Sequence, residues 1–340
     1  MKLSNMNLIQ LQHPTSGRRV GLVQEPFVIL LDPSVTSTYQ FFKQGIALGI
    51  GVSESIDKVL SNEQLEYSTI YESKGDWKML PPIDCPDDPM KCMLSGTGLT
   101  HKASATNRQK MHEQEKVQNL TDSMKMYLWG EEGGKPAPNT IGVQPEWFYK
   151  GNGLNLKGHG QHLIVPDYAD DGGEEPEIAG VYLISEKGIP HRLGFVQANE
   201  FSDHVMERKN YLYLAPSKIR NCSVGPELVL NATFDSIPGK VSIFRGGNEY
   251  WSKPIRTGEE AITHSLENLE YHHFKYEQHR IPGQLHIHFF GADAFSFGEN
   301  VILQQGDEMH VSFQNMGRPL VNPVVIDDRE PRLHKVVIVK

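Results

Sequence analysis

The sequence predicts a β-rich α+β protein, and three observations carry that reading. Short apolar runs split by turn residues recur along the chain, and over 240–245, 284–290 and 309–313 they alternate with polar residues as half-buried strands do. Apolar positions at helical spacing are confined to a few segments, chiefly 37–60, 104–129 and 258–276. Composition is ordinary and globular, 38% hydrophobic and 22% charged over 340 residues, enough for one large domain or two.

In chain order, residues 1–32 hold apolar runs around a turn at His13-Pro14-Thr15-Ser16-Gly17 and read as short antiparallel strands. One or two helices follow over Ser37–Leu60, with a glycine-rich interruption near 45–51. The stretch 76–89 is rich in Pro and Asp and reads as a linker, so we expect a small N-terminal α/β domain over 1–85 and a larger domain over 86–340. Beyond it, a short strand enters the glycine-rich turn Gly96-Thr97-Gly98 and places His101 and Lys102 on a loop. Residues 104–129 lack Pro and Gly and read as a helix with Ser104 as N-cap, its methionines serving as core packing. An aromatic strand, Trp147-Phe148-Tyr149, then ends at Lys150 beside Gly151.

The stretch 171–204 carries the candidate chemistry. Glu175 and Glu177 flank Pro176, and residues two apart on an extended chain point to the same side. The run Ile178–Ile184 after them reads as a strand buried on both faces. A Gly-Ile-Pro turn leads to a second run, 193–198, that ends at Asn199-Glu200. A carboxylate pair at one strand mouth and another at the end of the next gives three hard oxygen donors. Such a set suits magnesium, manganese or calcium rather than zinc. The same spacing also fits a solvated strand end with ordinary surface charge.

Other features exclude more than they assign. A net charge of −9 argues against a general nucleic-acid binder. Cys85, Cys92 and Cys222 are too few for a disulfide framework and read as reduced structural thiols. The first residues show no apolar signal core and no run is long enough to span a membrane, so we expect a cytoplasmic protein without membrane partners. His286 and His288 fall on the polar face of an alternating strand and read as structural histidines. No nucleophile elbow, G-x-S-x-G, occurs.

Taken together, the stretches from WFYKG (147–151) through E-x-E, NEFSDH (199–204) and SKIRNCSVGP (217–226) resemble the fumarylacetoacetate hydrolase superfamily. The likeness continues to Gly291 in HFFGADAFSF and to the turn at 305–308, covering roughly residues 90–325. Fuller phrases resemble a narrower branch, the 2-keto-3-deoxy-arabonate (pentonate) dehydratases. They include LPPIDCPDDPMKC, GTGLTHKASATNR, DGGEEPEIAGVYLI, NEFSDHVMERKNYLYLAPSK and HSLENLEYHHFKY.

The resemblance implies a mixed β-roll catalytic domain, Mg²⁺ (or Mn²⁺ or Ca²⁺), and homodimers or higher oligomers acting on a small 2-oxo acid. It implies Glu175, Glu177 and Glu200 as metal ligands, Lys218 and His101 as catalytic residues, and Lys150 and Ser202 on the substrate side. Two residues depart from the family pattern. The third ligand is usually Asp, which makes Asp203 an alternative to Glu200, and Pro176 requires its strand end to be an edge or a loop. The implied reaction is dehydration of a 2-keto-3-deoxy sugar acid in non-phosphorylative pentose catabolism, such as 2-keto-3-deoxy-arabonate to 2-oxoglutarate semialdehyde. The alternatives are hydrolytic cleavage of a C–C bond in a 2,4-dioxo acid, and a non-catalytic sugar-acid binding protein on the same fold.

Overall fold

Strands dominate the computed structural model, which describes residues 6–106 and 121–339. They gather into a 13-stranded and a 5-stranded sheet, and helices are few. The class is therefore mixed α+β and strand-rich, as the patterning requires. At the middle of the larger sheet Pro176–Ile184 lies antiparallel between Pro190–Asn199 and Leu285–Phe289. Every position of Pro176–Ile184 is buried, which is why its sequence is apolar without alternation. Ala179, Val181 and Leu183 enter one core cluster with Val196, Leu285 and Phe289. Ile178 enters a second cluster under the smaller sheet, with Phe195, Phe290 and Val311.

Residues before the expected boundary continue this arrangement. Asn7–His13 pairs with Gly17–Gln24 on one side and with Leu228–Val229 on the other. Leu8, Val20, Leu31 and Phe41 pack into the same cluster as Ala179 and Val181. The expected helical stretch resolves into Thr38–Leu48 and Val52–Val59. Ser37 caps the first, accepting from the Gln40 N–H, and Gly49 ends it at φ 67°, a left-handed conformation natural to glycine.

Pro176 is the first residue of its strand and pairs only with Asn199, beyond the rungs to Leu285–Phe289, so this strand end has the open side that proline requires. Three expectations need correction. Only the second half of 258–276 is helical, Leu266–Phe274, because Ser265 supplies the N-cap there. The closing run Val336–Val339, whose β-branched residues read as a strand, forms none and lies exposed, since among the described residues no strand pairs with it. Ser104 does not cap a helix but lies inside a helical turn at 102–106; residues 107–120 of the expected helix lie outside the described residues. Asp122–Gly133 forms a separate helix capped by Thr121, and Met124 and Met126 pack near Leu99 and Tyr127.

The histidines of the alternating strand are structural. His288 exchanges hydrogen bonds with the Ser95 and Thr97 hydroxyls, both at 2.9 Å, and His286 Nδ1 meets His273 Nε2 at 3.0 Å. Burial drives His286 and His288 down to about 3, and His273 well below its ordinary value. The folded state therefore refuses protons that the unfolded chain accepts below pH 6.5. Stability is full above that pH and falls as pH drops toward 3, at roughly 1.4 kcal/mol per pH unit for each such histidine. Urea unfolding at pH 7 and pH 5 is expected to show this loss, and His286→Asn to flatten it. An unchanged slope in the variant would show that His286 does not contribute.

Candidate metal centre

The antiparallel register places the carboxylates. Pro176 pairs with Asn199 and Glu177 with Ala198, so the mouth of one strand abuts the end of the next. Beyond the ladder, the Glu200 N–H donates to the Glu175 carbonyl at 2.9 Å, and the Glu175 N–H donates to Asn199 Oδ1 at 3.2 Å. One carboxylate oxygen from each of Glu175, Glu177 and Glu200 then lies within 4.8 Å of the others, and all three residues are buried. Among the described residues they form the one cluster of this kind.

Two buried lysines enter the cluster. Lys218 ends the helix Leu214–Lys218 and reaches Glu175 Oε1 at 2.6 Å, Glu200 Oε2 at 3.1 Å and Ser202 Oγ at 3.2 Å. Its ammonium also lies 4.9 Å from the centre of the Phe148 ring. Lys150, on the strand Phe148–Asn152, pairs with Glu200 Oε1 at 3.0 Å and donates to the Phe201 carbonyl. Ser202 donates to the Glu200 side chain (3.1 Å) and carbonyl (2.8 Å), bracing that glutamate from below.

The carboxylates differ in character. Burial opposes ionisation of Glu175, but Lys218 and His204 outweigh it and hold Glu175 well below the usual range. Burial, reinforced by Glu200 and Glu175, pushes Glu177 well above it. Burial also raises Glu200, against the pull of Lys218 and Lys150. Glu177 Oε2 accepts the Gly291 N–H at 2.7 Å, and no cation lies within ion-pair distance of Glu177 among the described residues. Gly291 sits at φ 99°, where a side chain would be strained and would also strike Thr100. Ionising Glu177 as well would set three buried carboxylates against Lys218, Lys150 and the His204 imidazole with no cation at Glu177 itself, a costly state without further positive charge. A hard divalent cation fits both that deficit and the all-oxygen donor set.

The other candidates lie elsewhere. Asp203 caps the helix His204–Lys209 through the Met206 N–H and pairs with Arg220 at 2.8 Å, so its oxygens are engaged away from the three glutamates. His101 is buried on the loop after Cys92–Gly96, with Nδ1 3.0 Å from Thr100 Oγ1. Burial lowers His101 to about 4 against the raising effect of Asp293. No hydrogen bond joins it to the glutamates among the described residues.

Two residues escaped the sequence reading. Glu174 lies on the opposite side of the chain from Glu175 and accepts from the N–H (2.6 Å) and hydroxyl (2.9 Å) of Ser296, tying that loop to the segment that carries Glu175. Strand alternation pointed to that divergence, but nothing in the sequence named Ser296. His204 Nε2 lies 2.9 Å from Glu175 Oε1, and no sequence spacing marks it.

No family model and no curated protein matches the chain. Solved structures do match its fold. The apo form of a 2-keto-3-deoxy-D-arabinonate dehydratase superposes with a TM-score of 0.69 at 20% identity, covering 95% of this chain and 100% of that one. The same enzyme complexed with magnesium and 2,5-dioxopentanoate gives 0.68 at 20% identity and the same coverage. A 5-carboxymethyl-2-hydroxymuconate delta-isomerase from Mycobacterium smegmatis gives 0.57 at 15% identity, again over 95% and 100%. The chain thus has the fold of these enzymes across nearly its whole length, and that fold serves more than one reaction.

Proposed function

We propose that the chain is a divalent-metal-dependent hydro-lyase of the fumarylacetoacetate hydrolase superfamily. Its reaction would be dehydration of a 2-keto-3-deoxy sugar acid, 2-keto-3-deoxy-arabonate to 2-oxoglutarate semialdehyde. One observation supports it above the rest: three buried glutamates and Lys218 converge in a fold shared with a dehydratase solved with magnesium and 2,5-dioxopentanoate. As such an enzyme it would act in the cytoplasm, as a homodimer or higher homo-oligomer.

Glu175, Glu177 and Glu200 would hold Mg²⁺, with Mn²⁺ or Ca²⁺ as substitutes. Bound there, the ion would polarise the 2-oxo group of the substrate and so acidify the protons on carbon 3. Lys218 supplies the group that moves a proton between carbon 3 and the leaving 4-hydroxyl, held in place by Glu175, Glu200 and Ser202. The 5-hydroxy-3-enoate so formed becomes the semialdehyde when a proton is lost from carbon 5, one returns to carbon 3, and the resulting enol ketonises with protonation of carbon 4. Lys150 and Ser202 fix Glu200 and shape the substrate side. His101, kept neutral by burial, has Nε2 without a protein partner among the described residues, which supports a part in orienting water or substrate.

The test is incubation with 2-keto-3-deoxy-arabonate and Mg²⁺, followed by mass detection of the semialdehyde. Magnesium-dependent loss of water is the expected result. Pyruvate-type fragments from a 2,4-dioxo acid, with no dehydration, would replace this reading by C–C hydrolysis. Binding without turnover, unchanged in Lys218→Met, would replace it by a sugar-acid binding role.

A further inference from the structure

We infer that His204 is a positioning residue for the metal centre, holding the Glu175 carboxylate so that one of its oxygens is left to take the cation. This role presupposes the metal centre proposed above. The imidazole is 2% exposed, and its Nε2 lies 2.9 Å from Glu175 Oε1. Lys218 Nζ reaches the same oxygen at 2.6 Å. Two donors on Oε1 occupy its lone pairs and leave Oε2 as the oxygen for a cation.

The surroundings fix the ring on every side that matters. Phe295 stacks on it with centroids 4.8 Å apart and planes 6° from parallel, and Phe297 stacks at 5.0 Å and 28°. Gly173 presses against its Nδ1 edge, where any Cβ would collide with the ring. The bridge between Gly173 and Ser202, paired N–H to carbonyl in both directions, locks that glycine beside the chain entering His204. The backbone is held as well, because Asp203 caps the helix that His204 begins. A glutamate has three side-chain torsions, and Lys218 alone, shared with Glu200, would leave Glu175 free to turn. The imidazole removes that freedom. Groups that orient metal-binding carboxylates in this way commonly set metal affinity by 10–100-fold.

The discriminating variant is His204→Phe, which keeps a stacking ring between Phe295 and Phe297 but has no N–H. Mn²⁺ affinity, read by electron paramagnetic resonance of the free ion, is expected to weaken by about 10–100-fold. The metal-free variant is expected to melt below the wild type, because Glu175 loses one of its two donors, but to remain folded, and turnover should recover within a few-fold at saturating Mn²⁺. His204→Gln, which restores a donor, is expected to regain most of the affinity. Gly173→Ala leaves every polar group in place and displaces the ring, so it should weaken Mn²⁺ binding too, and it serves if the phenylalanine variant fails to fold. Wild-type affinity in folded His204→Phe, or equal loss in the Phe and Gln variants, overturns the positioning role while leaving the metal centre standing. Failure of the wild-type protein to bind Mn²⁺ at all removes both.

Discussion

Glu177→Gln is expected to abolish turnover and at the same time stabilise the metal-free protein. The side chain is buried, and burial together with Glu200 and Glu175 opposes its ionised form. An amide of the same shape keeps an oxygen to accept the Gly291 N–H and removes a carboxylate that has no ion-pair partner among the described residues. Replacing such a charge by a neutral isostere gains about 1–3 kcal/mol. The cost falls on the holo state, because one of three oxygen ligands is lost and activity should drop by about a thousandfold or more. Wild-type protein should gain about 2.7 kcal/mol from Mg²⁺ at a hundred times its dissociation constant, and the variant close to none. Melting curves in EDTA and in Mg²⁺, with turnover on the same samples, check both halves. Retained magnesium-dependent turnover would remove Glu177 from the ligand set.

Lys218→Met should have the opposite signature. Lys218 compensates Glu175 and Glu200 together, at 2.6 and 3.1 Å, with all three side chains buried. Its removal leaves the buried glutamates facing only Lys150 and the His204 imidazole and should cost the metal-free protein about 3–5 kcal/mol. A divalent cation supplies the missing positive charge, so Mg²⁺ should return much of that stability. Turnover should not return, because no amine remains to move the proton; a loss of about 10²–10⁴-fold is expected. Titration of melting temperature against Mg²⁺, paired with the dehydration assay, separates the two effects. A variant as stable as wild type in EDTA would mean that Lys218 carries no charge compensation, and unchanged turnover would end its catalytic assignment.

The two variants differ because neighbouring groups in one cluster carry different electrostatic roles. Sequence spacing proposed Glu175, Glu177 and Glu200 as ligands, and the fold brings one carboxylate oxygen of each within 4.8 Å of the others. That spacing was informative because strand geometry is regular: i and i+2 share a face, and an antiparallel return puts the end of the second strand beside the mouth of the first. Local patterning also reached the helical stretch that begins after Ser37. It misjudged Val336–Val339, where β-branched residues promise a strand but pairing depends on a neighbour no local pattern supplies.

What the chain determined by itself was its periodicities: a strand-rich class, one strand buried on both faces, and carboxylates brought to one side of an extended backbone. Contacts between residues far apart in sequence decided the rest. Lys218 is 43 positions from Glu175, Gly291 is 114 from Glu177, and Ser296 is 122 from Glu174, so no window of sequence holds these pairs. Folding also split the charge behaviour of chemically identical glutamates, holding Glu175 ionised and opposing ionisation of Glu177. The physical reason is that burial and the placement of fixed cations are properties of the packed interior, where low polarisability makes each neighbouring charge count.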